Sequence, residues 1–166
     1  MRYLAAITML VLAITLAQPV VAQNFKPNYQ AGRAAKDWAT TLRHFRPLAK
    51  QGYAEAQYML GEMHNNGDGV TKDYKEAVKW YRKAANQGHA WAQNWLGEMY
   101  HDGHGVVQDL VMAYVWVNLA IANGMKYAEM ARDNALARLN ASERKLGRKL
   151  SKLCFKKPAK CPEYSY

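Results

Sequence analysis

The sequence predicts an all-α protein, an α/α solenoid of helix-turn-helix repeats with a helical cap at each end. Three observations predict it. One pattern of residues recurs at a constant offset of 36 positions. Within each recurrence the apolar residues have helical spacing, and closely spaced glycines separate two helical stretches. Self-similarity at a period of roughly 20–50 residues is typical of repeat architectures.

Composition excludes several other classes of protein. The chain of 166 residues is 50% apolar and contains five Trp and eleven Tyr, which excludes a disordered chain. Two cysteines exclude a disulfide-rich scaffold and a multi-cysteine zinc module. The formal charge of +10 leaves nucleic acid, an anionic membrane and an acidic protein open as partners.

The N-terminal residues 1–22 have the layout of a secretory signal peptide. Arg2 precedes an apolar run over residues 4–16, and small residues follow up to Ala22. We therefore expect cleavage before Gln23 and an exported chain, periplasmic or secreted, with no transmembrane segment left after cleavage. An uncleaved membrane anchor is the alternative, although the apolar run is shorter than the roughly 20 residues that a spanning helix needs.

Two complete repeat units are predicted at about residues 53–88 and 89–124. In each unit a first helix ends at a glycine-rich loop, an aspartate begins a second helix, and a glycine, Gly88 in the first unit, caps its end. The positions that recur at the offset of 36 include Gly52, Gly88 and Gly124; Ala56, Ala92 and Ala128; Asp37, Asp73 and Asp109; Gly61 and Gly97; Trp80 and Trp116. This many coincidences at one offset indicate a true repeat.

These motifs resemble the Sel1-like repeat, a relative of the tetratricopeptide repeat. The segments that carry the resemblance are residues 54–61 (AEAQYMLG), 67–70 (GDGV) and 73–88 (DYKEAVKWYRKAANQG), with residues 90–124 matching nearly as well. His64 departs from the family pattern, which usually has Tyr there. The resemblance implies that the first helices of successive units line a concave face on which partners dock.

The solenoid is predicted to span residues 36–153, after a linker at residues 23–35. Its terminal units are incomplete, and the outer surface of a terminal unit in a solenoid must be polar. Residues 37–52 are predicted to form a lone helix that caps the start. Residues 127–139 are predicted to form a first helix, and a capping box at residues 140–143 begins the final helix.

The second helix of the second unit, residues 110–122, contains no charged residue. A helix that is apolar all round is buried or docks another molecule. We expect burial between neighbouring units, with partial exposure of Trp116 as the alternative.

Cys154 and Cys161 are the two cysteines of the chain. In an exported protein we expect them to form a disulfide that holds the tail, residues 154–166. Redox or metal chemistry is the alternative, but the pair has neither a CxxC spacing nor an adjacent histidine.

No sequence motif for catalysis or cofactor binding is present. GxSxG, P-loop and HExxH motifs and paired carboxylates are absent from the sequence, so we expect no enzyme and no cofactor. His101, Asp102 and His104 share one loop, and His64 lies near the equivalent loop of the first unit. A zinc site needs three or four converging ligands, and an exposed loop explains these residues equally well, so no metal site is predicted.

The partner-binding site is predicted on the first helices of the two units. The repeat signature leaves seven residues there unused, Glu55 and the six that we predict to bind the partner: Tyr58, Glu62, Trp91, Asn94, Trp95 and Glu98. Trp91 and Trp95 are four residues apart and therefore share a helix face. Large aromatic residues often contribute most of the binding energy of an interface. Packing against the adjacent unit is the alternative for Trp95 and, less strongly, for Trp91.

Basic charge is concentrated near the C-terminus. Residues 126–160 contain eleven basic and three acidic residues. The final helix, with an apolar face expected at Leu146, Leu150 and Leu153, is therefore a candidate for binding an anionic surface. A solvated helix face is the alternative, and nucleic acid is not expected as a partner of an exported chain.

Together these observations predict a non-catalytic exported scaffold or adaptor that binds a protein or peptide in the cell envelope. A second function class remains open, an envelope protein that binds or hydrolyses cell-wall fragments. That class is implied by the resemblance to secreted repeat proteins and not by the residues themselves.

Overall fold

Seven α-helices follow one another along the described part of this computed structural model, which comprises Ala34, residues 37–158 and Cys161. They are α1 (Trp38–Lys50), α2 (Ala54–Asn66), α3 (Tyr74–Ala85), α4 (Ala90–Asp102), α5 (Leu110–Ala122), α6 (Glu129–Arg138) and α7 (Ala141–Lys156). This part of the chain contains no β-strand. The predicted signal peptide, residues 1–22, lies outside the described residues, as does the predicted linker except for Ala34.

The chain divides into two units, Met1–Thr41 and Leu42–Tyr166. The described residues of the first unit begin α1, where the Asp37 side chain accepts a hydrogen bond from the Thr40 backbone N–H at 3.2 Å. The second unit contains the two predicted repeats, α2 with α3 and α4 with α5. The prediction of paired helices is confirmed.

The predicted glycine-rich loops end the first helix of each repeat. Gly67 after α2 and Gly103 after α4 take left-handed backbone conformations, with φ of 82° and 73°. Glycine adopts this region without the steric cost that a Cβ atom would add. The backbone N–H groups of Gly67 and Gly103 donate to carbonyl oxygens in the last helical turn, which closes each helix.

Aspartates begin the second helices as predicted. Asp73 Oδ1 accepts the Glu76 backbone N–H at 3.1 Å, and Asp109 caps α5 in the same way. The predicted glycine cap is wrong in its position, because the residue that caps α3 is Asn86, in a right-handed conformation. Gly88 lies two residues further on, with φ of 84°, where the chain reverses into α4.

Small residues let the two helices of a repeat approach closely. A Cβ atom at Gly61 of α2 would clash with the ring of Tyr81 of α3. One repeat later, a Cβ atom at Gly97 of α4 would lie 2.7 Å from Cγ2 of Val117 in α5. Tyr81 and Val117 therefore take the same place over a glycine in successive repeats.

A buried glutamine links each first helix to its neighbours. Gln57 Nε2 donates to the Ala49 carbonyl at 3.1 Å, and Gln57 Oε1 accepts from Gln87 Nε2 at 2.8 Å. The same two bonds recur 36 residues later in Ala85, Gln93 and Asn123. Because a buried amide without partners is costly, this arrangement fixes the register between successive helix pairs.

Helix α5 is the centre of the core, as its lack of charge predicted. Its residues from Met112 to Val117 are buried, as are Leu119 and Ala120. Trp116 is 1% exposed, so the alternative of a partly exposed Trp116 is wrong. The helix packs against α4, α6 and α7.

The two C-terminal helices differ in detail from the prediction. A 3-10 turn, Lys126–Ala128, precedes α6, so the α-helix begins at Glu129 and not at residue 127. The predicted capping box of α7 is confirmed, because the Asn140 side chain accepts the Glu143 backbone N–H at 3.0 Å and the Glu143 side chain accepts the Asn140 backbone N–H at 2.8 Å. Helix α7 then continues to Lys156.

The face by which α7 packs is not the predicted one. Leu150 is buried, but Leu146 is 40% and Leu153 is 46% exposed. The buried residues of α7 are Gly147, Leu150 and Cys154. A Cβ atom at position 147 would lie 2.7 Å from the ring of Tyr114, so the absence of a side chain at Gly147 brings this face of α7 against α5.

The predicted disulfide between Cys154 and Cys161 is formed, with the two Cα atoms 4.7 Å apart. Both cysteines belong to the hydrophobic core. The disulfide therefore holds the chain after α7 against the last helices. Among the described residues no helix is long and apolar enough to cross a membrane.

Candidate partner-binding surface

The six residues predicted to bind a partner lie on α2 and α4. We call them the first-helix face: Tyr58, Glu62, Trp91, Asn94, Trp95 and Glu98. The structure distributes them over three neighbourhoods. Tyr58, Glu62 and Trp95 contact a shared tyrosine, Asn94 and Glu98 form a pair, and Trp91 contacts a residue beyond the second repeat.

Tyr81 is the shared tyrosine, and its side chain is fully buried. The Tyr81 ring lies between the rings of Tyr58 and Trp95, with centroid distances of 6.0 and 6.2 Å. Its hydroxyl donates to Glu62 Oε1 at 2.6 Å. Trp95 therefore packs on α3 of the first repeat, as the packing alternative proposed, and remains half-buried. The sequence analysis did not predict the hydrogen bond between Tyr81 and Glu62.

His89 is a second residue of this region that sequence reasoning missed. Its Nδ1 accepts the Ala92 backbone N–H at 3.2 Å and so caps α4. Its Nε2 then carries the proton and donates to Glu55 Oε2 at 2.9 Å. The ring also stacks on Tyr58 at 4.8 Å. The signal was its position directly before α4, where a capping residue belongs.

Trp91 lies on the outside of the protein, with 43% of its surface exposed. Its ring is 5.4 Å from the ring of Tyr127, in the 3-10 turn before α6. Tyr127 is 66% exposed, and Met130, one turn later, is 75% exposed. We call Trp91, Tyr127 and Met130 the Trp91 patch. The sequence analysis included Trp91 but not the other two, which lie outside the two complete repeats.

Asn94 and Glu98 are one helical turn apart on α4. Asn94 Nδ2 donates to Glu98 Oε1 at 2.7 Å. Burial raises the pKa of the Glu98 carboxyl, and the nearby carboxylate of Asp102 acts in the same direction, while the hydrogen bond from Asn94 and the proximity of His101 oppose the shift. Loss of contact with water is therefore the main influence on the Glu98 carboxylate.

A cavity of about 260 Å³ opens beside Glu98, between α4, α5 and α6. Its apolar wall consists of Ala113, Val117, Ala131 and Ala135. Its polar lining consists of Glu98, His101, Asp102 and Asn134. We call it the Glu98 cavity.

The charge on the first helices is opposite in sign to the charge of the whole chain. Helices α2 and α4 contain the carboxylates of Glu55, Glu62, Glu98 and Asp102 and no lysine or arginine, although the chain carries a formal charge of +10. Helix α7, by contrast, exposes six basic residues: Arg144, Lys145, Arg148, Lys149, Lys152 and Lys156. The two surfaces therefore attract partners of opposite charge.

The histidines that raised the question of a metal have different neighbours. His101 Nε2 faces Arg138 Nη1 at 3.1 Å, and its Nδ1 bonds Asp102 at 2.8 Å. His104 stacks on Tyr74, with ring centroids 4.6 Å apart. Within the described residues, no three His, Cys, Asp or Glu side chains are placed to hold one metal ion.

The repeats match a known family. Residues 54–89 and 92–125 each match the Sel1 repeat. The chain is a Sel1-like repeat protein. No curated protein matches it.

Two crystal structures resemble this Sel1-like repeat protein. One is a protective antigen of uropathogenic Escherichia coli strains with an SLR fold; the TM-score is 0.69 and the identity 34%, over 76% of this chain and 29% of that one. The other is a Sel1 repeat protein from Oxalobacter formigenes, with a TM-score of 0.59 and 33% identity, over 63% of this chain and 43% of that one. The chain thus spans less than half the length of either protein. Sel1 repeats generally mediate protein–protein interaction.

The two repeats of the Sel1-like protein differ where His64 departs from the family pattern. In the second repeat Arg82 donates to the hydroxyl of Tyr100 and lies over its ring, 5.7 Å from the centroid. The equivalent positions in the first repeat are Arg46 and His64. Nδ1 of His64 is buried without a hydrogen-bond partner. Burial lowers the pKa of His64, and Arg46 lowers it further, against the carboxylates of Glu76 and Asp73.

Proposed function

We propose that this Sel1-like repeat protein is a non-catalytic scaffold that binds a protein or peptide partner on its first-helix face. The observation that carries the proposal is the Trp91 patch. It places an exposed Trp, an exposed Tyr and an exposed Met on neighbouring segments. Trp, Tyr and Met are enriched at protein interfaces, and an exposed apolar group of this kind marks an interaction site.

The rest of the first-helix face supports the same proposal. Tyr58 and Trp95 are half-buried and held against Tyr81, so binding costs little side-chain entropy at these rings. Glu62 and Glu98 are held by hydrogen bonds. A face with fixed aromatic and carboxylate groups suits recognition of a partner segment better than a chemical reaction.

We propose further that the protein is exported and acts in the periplasm or outside the cell. The N-terminal apolar run and the Cys154–Cys161 disulfide support this location, because disulfides persist in oxidising compartments. Intact mass of the protein from the periplasm and the medium tests it. A chain that begins at Gln23 is the expected result, and a full-length chain in the membrane fraction would contradict the proposal.

Site-specific photo-crosslinking in living cells tests the binding proposal. A photoreactive p-benzoylphenylalanine replaces Trp91, and Val107, an exposed apolar residue in a loop, is replaced in a matched control. We expect a discrete crosslinked protein from position 91 and none from position 107. Equal crosslinking from both positions, or none from position 91, would contradict a partner site on the first-helix face.

Helix α7 is a second candidate surface because Leu146, Leu153 and Phe155 are exposed beside its basic residues. This combination suits an anionic membrane surface. Sedimentation of the purified protein with phosphatidylglycerol vesicles and, separately, with cell-wall sacculi distinguishes the candidates. Strong binding to vesicles would favour α7, and strong binding to sacculi would favour the alternative of a cell-wall-binding protein.

A further inference from the structure

The two repeats differ at three aromatic positions that are in contact in the first repeat. There, the Tyr81 ring is stacked on Trp95 and tilted against Tyr58, with centroid distances of 6.2 and 6.0 Å. The residues 36 positions later are Asn94, Val117 and Ala131. Every ring of this cluster is therefore replaced by a smaller side chain in the second repeat.

The Glu98 cavity lies at two of these three positions, those of Val117 and Ala131. Val117 lies over Gly97 as Tyr81 lies over Gly61, and both Val117 and Ala131 line the cavity. The space of about 260 Å³ is thus a property of the residues at these repeat positions. It is smaller than the roughly 300–1,000 Å³ of sites for drug-sized ligands, so it suits a single side chain.

Glu98 has lost the partner that Glu62 keeps. The two glutamates are equivalent, and Glu62 accepts the Tyr81 hydroxyl at 2.6 Å. Val117 has no hydrogen-bond donor, and within the described residues the hydrogen bond that Glu98 accepts comes from Asn94. The cavity therefore combines an apolar wall with a half-buried carboxylate that has capacity for another donor.

The charge around the cavity favours a cation as that donor. Asp102, a second carboxylate in the lining, is paired with His101 Nδ1 at 2.8 Å. Arg138 Nη1 faces His101 Nε2 at 3.1 Å. The carboxylate of Glu98 is therefore the group in the lining that a cation of the partner would meet. Lysine and arginine bury their aliphatic stems along apolar surface while the charged head reaches a polar group, which matches an alanine and valine wall beside this carboxylate.

We propose that the Glu98 cavity receives a lysine or arginine side chain of the protein partner, with its stem against Ala113, Val117 and Ala131 and its cationic head on Glu98. This proposal rests on the proposed function. It predicts that the partner has a basic residue next to the segment that covers the Trp91 patch. Charge complementarity of this kind contributes mainly to specificity.

Titration of the ¹⁵N-labelled mature protein with amino-acid probes, followed by amide NMR, tests this proposal. The probes are the Nα-acetyl N-methylamides of lysine, norleucine and tyrosine. We expect the lysine probe to shift the amides of Gly97, Ala131 and Ala135, and the norleucine probe, which has the stem without the charge, to bind roughly tenfold more weakly. Equal binding of lysine and norleucine, or tighter binding of tyrosine, would overturn the proposal.

Two variants complete the test. Glu98→Gln keeps the shape of the side chain and is expected to weaken binding of the lysine probe to the level of the norleucine probe. The control is Glu129→Gln, at an exposed glutamate on α6, and it is expected to leave binding unchanged. Val117→Tyr restores the residue of the first repeat and is expected to abolish binding by filling the cavity. Lysine binding that survives both Glu98→Gln and Val117→Tyr would overturn the proposal.

Crosslinking from position 91 separates this inference from the proposed function. If position 91 crosslinks a partner but the lysine probe does not bind, the scaffold function stands and the basic-residue pocket is wrong. If the lysine probe binds as expected but position 91 gives no crosslink, the pocket stands and the assignment of the Trp91 patch as the partner site is wrong.

Discussion

Tyr81 donates its hydroxyl to Glu62 at 2.6 Å, and Val117, at the same position of the next repeat, gives Glu98 no donor. In both repeats the two helices approach closely, because Gly61 leaves room for Tyr81 and Gly97 leaves room for Val117. One repeat thus has a cluster of three aromatic rings, and the other has a cavity lined by Glu98. A solenoid can in this way keep its architecture while each repeat presents different chemistry to a partner.

Replacing His64 by tyrosine should stabilise the protein. His64→Tyr gives Arg46 the partner that Arg82 has in Tyr100, and it removes a buried Nδ1 without a hydrogen bond. We expect an increase in the free energy of unfolding of about 1 kcal/mol, measured by urea denaturation at neutral pH. Adding Arg46→Ala to the His64→Tyr variant should remove this gain in the free energy of unfolding. If neither the single nor the double variant changes the free energy of unfolding, the account is contradicted.

The same histidine predicts a pH dependence. Burial lowers the pKa of His64 below its ordinary value of 6.5, so between the two values the unfolded chain binds more protons than the folded one. The contribution of neutral His64 to stability is therefore present above pH 6.5 and lost as the pH falls towards the lowered pKa. His64→Tyr should flatten the stability profile in this window, which urea denaturation at a series of pH values measures.

For Glu98 we expect stability to change with pH in the opposite direction, and in the acid range. Burial raises its pKa above the ordinary 4.5, so the folded protein binds more protons than the unfolded chain between the two values. Stability from this group is complete below pH 4.5 and is lost as the pH rises through the raised pKa. Glu98→Gln should remove this loss, and Glu129→Gln should not; identical profiles for both variants would contradict the desolvation of Glu98.

Breaking the disulfide should destabilise the C-terminal helices. Closing a loop as short as the one between Cys154 and Cys161 contributes about 2–3 kcal/mol by restricting the unfolded chain. The double variant Cys154→Ala with Cys161→Ala should lower the melting temperature, and the parent protein should not react with thiol reagents until reduced. Reactive thiols on the purified exported protein would contradict the pairing.

Local signals were sufficient to predict the architecture. Asp73 and Asp109 before the second helices, Gly67 and Gly103 after the first ones, and the capping box that begins at Asn140 are all features of short segments. Each acts through backbone hydrogen bonds or backbone conformation within a few residues. For this reason the order and pairing of the helices could be derived from the sequence.

Contacts between helices were harder to predict. The packing face of α7 depends on Gly147 meeting Tyr114, a contact between residues far apart in the chain, so the apolar spacing of Leu146, Leu150 and Leu153 was misleading. The Glu98 cavity could not be predicted from α4 alone. The structure shows that Tyr81 contacts both Tyr58 and Trp95, and only this contact reveals that the smaller residues at the equivalent positions of the next repeat leave a space.

The central claim is that the partner binds on the first-helix face. Isothermal titration calorimetry tests it most directly, by measuring how tightly the partner crosslinked at position 91 binds variants of each surface. Trp91→Ala is expected to cost about 2 kcal/mol or more, roughly thirtyfold in Kd, with the fold retained by circular dichroism. The double variant Lys145→Ala with Lys149→Ala on α7 is expected to leave Kd nearly unchanged and to alter mainly the association rate. The opposite ranking, with Trp91→Ala silent and the α7 variant dominant, would contradict a partner site on the first-helix face.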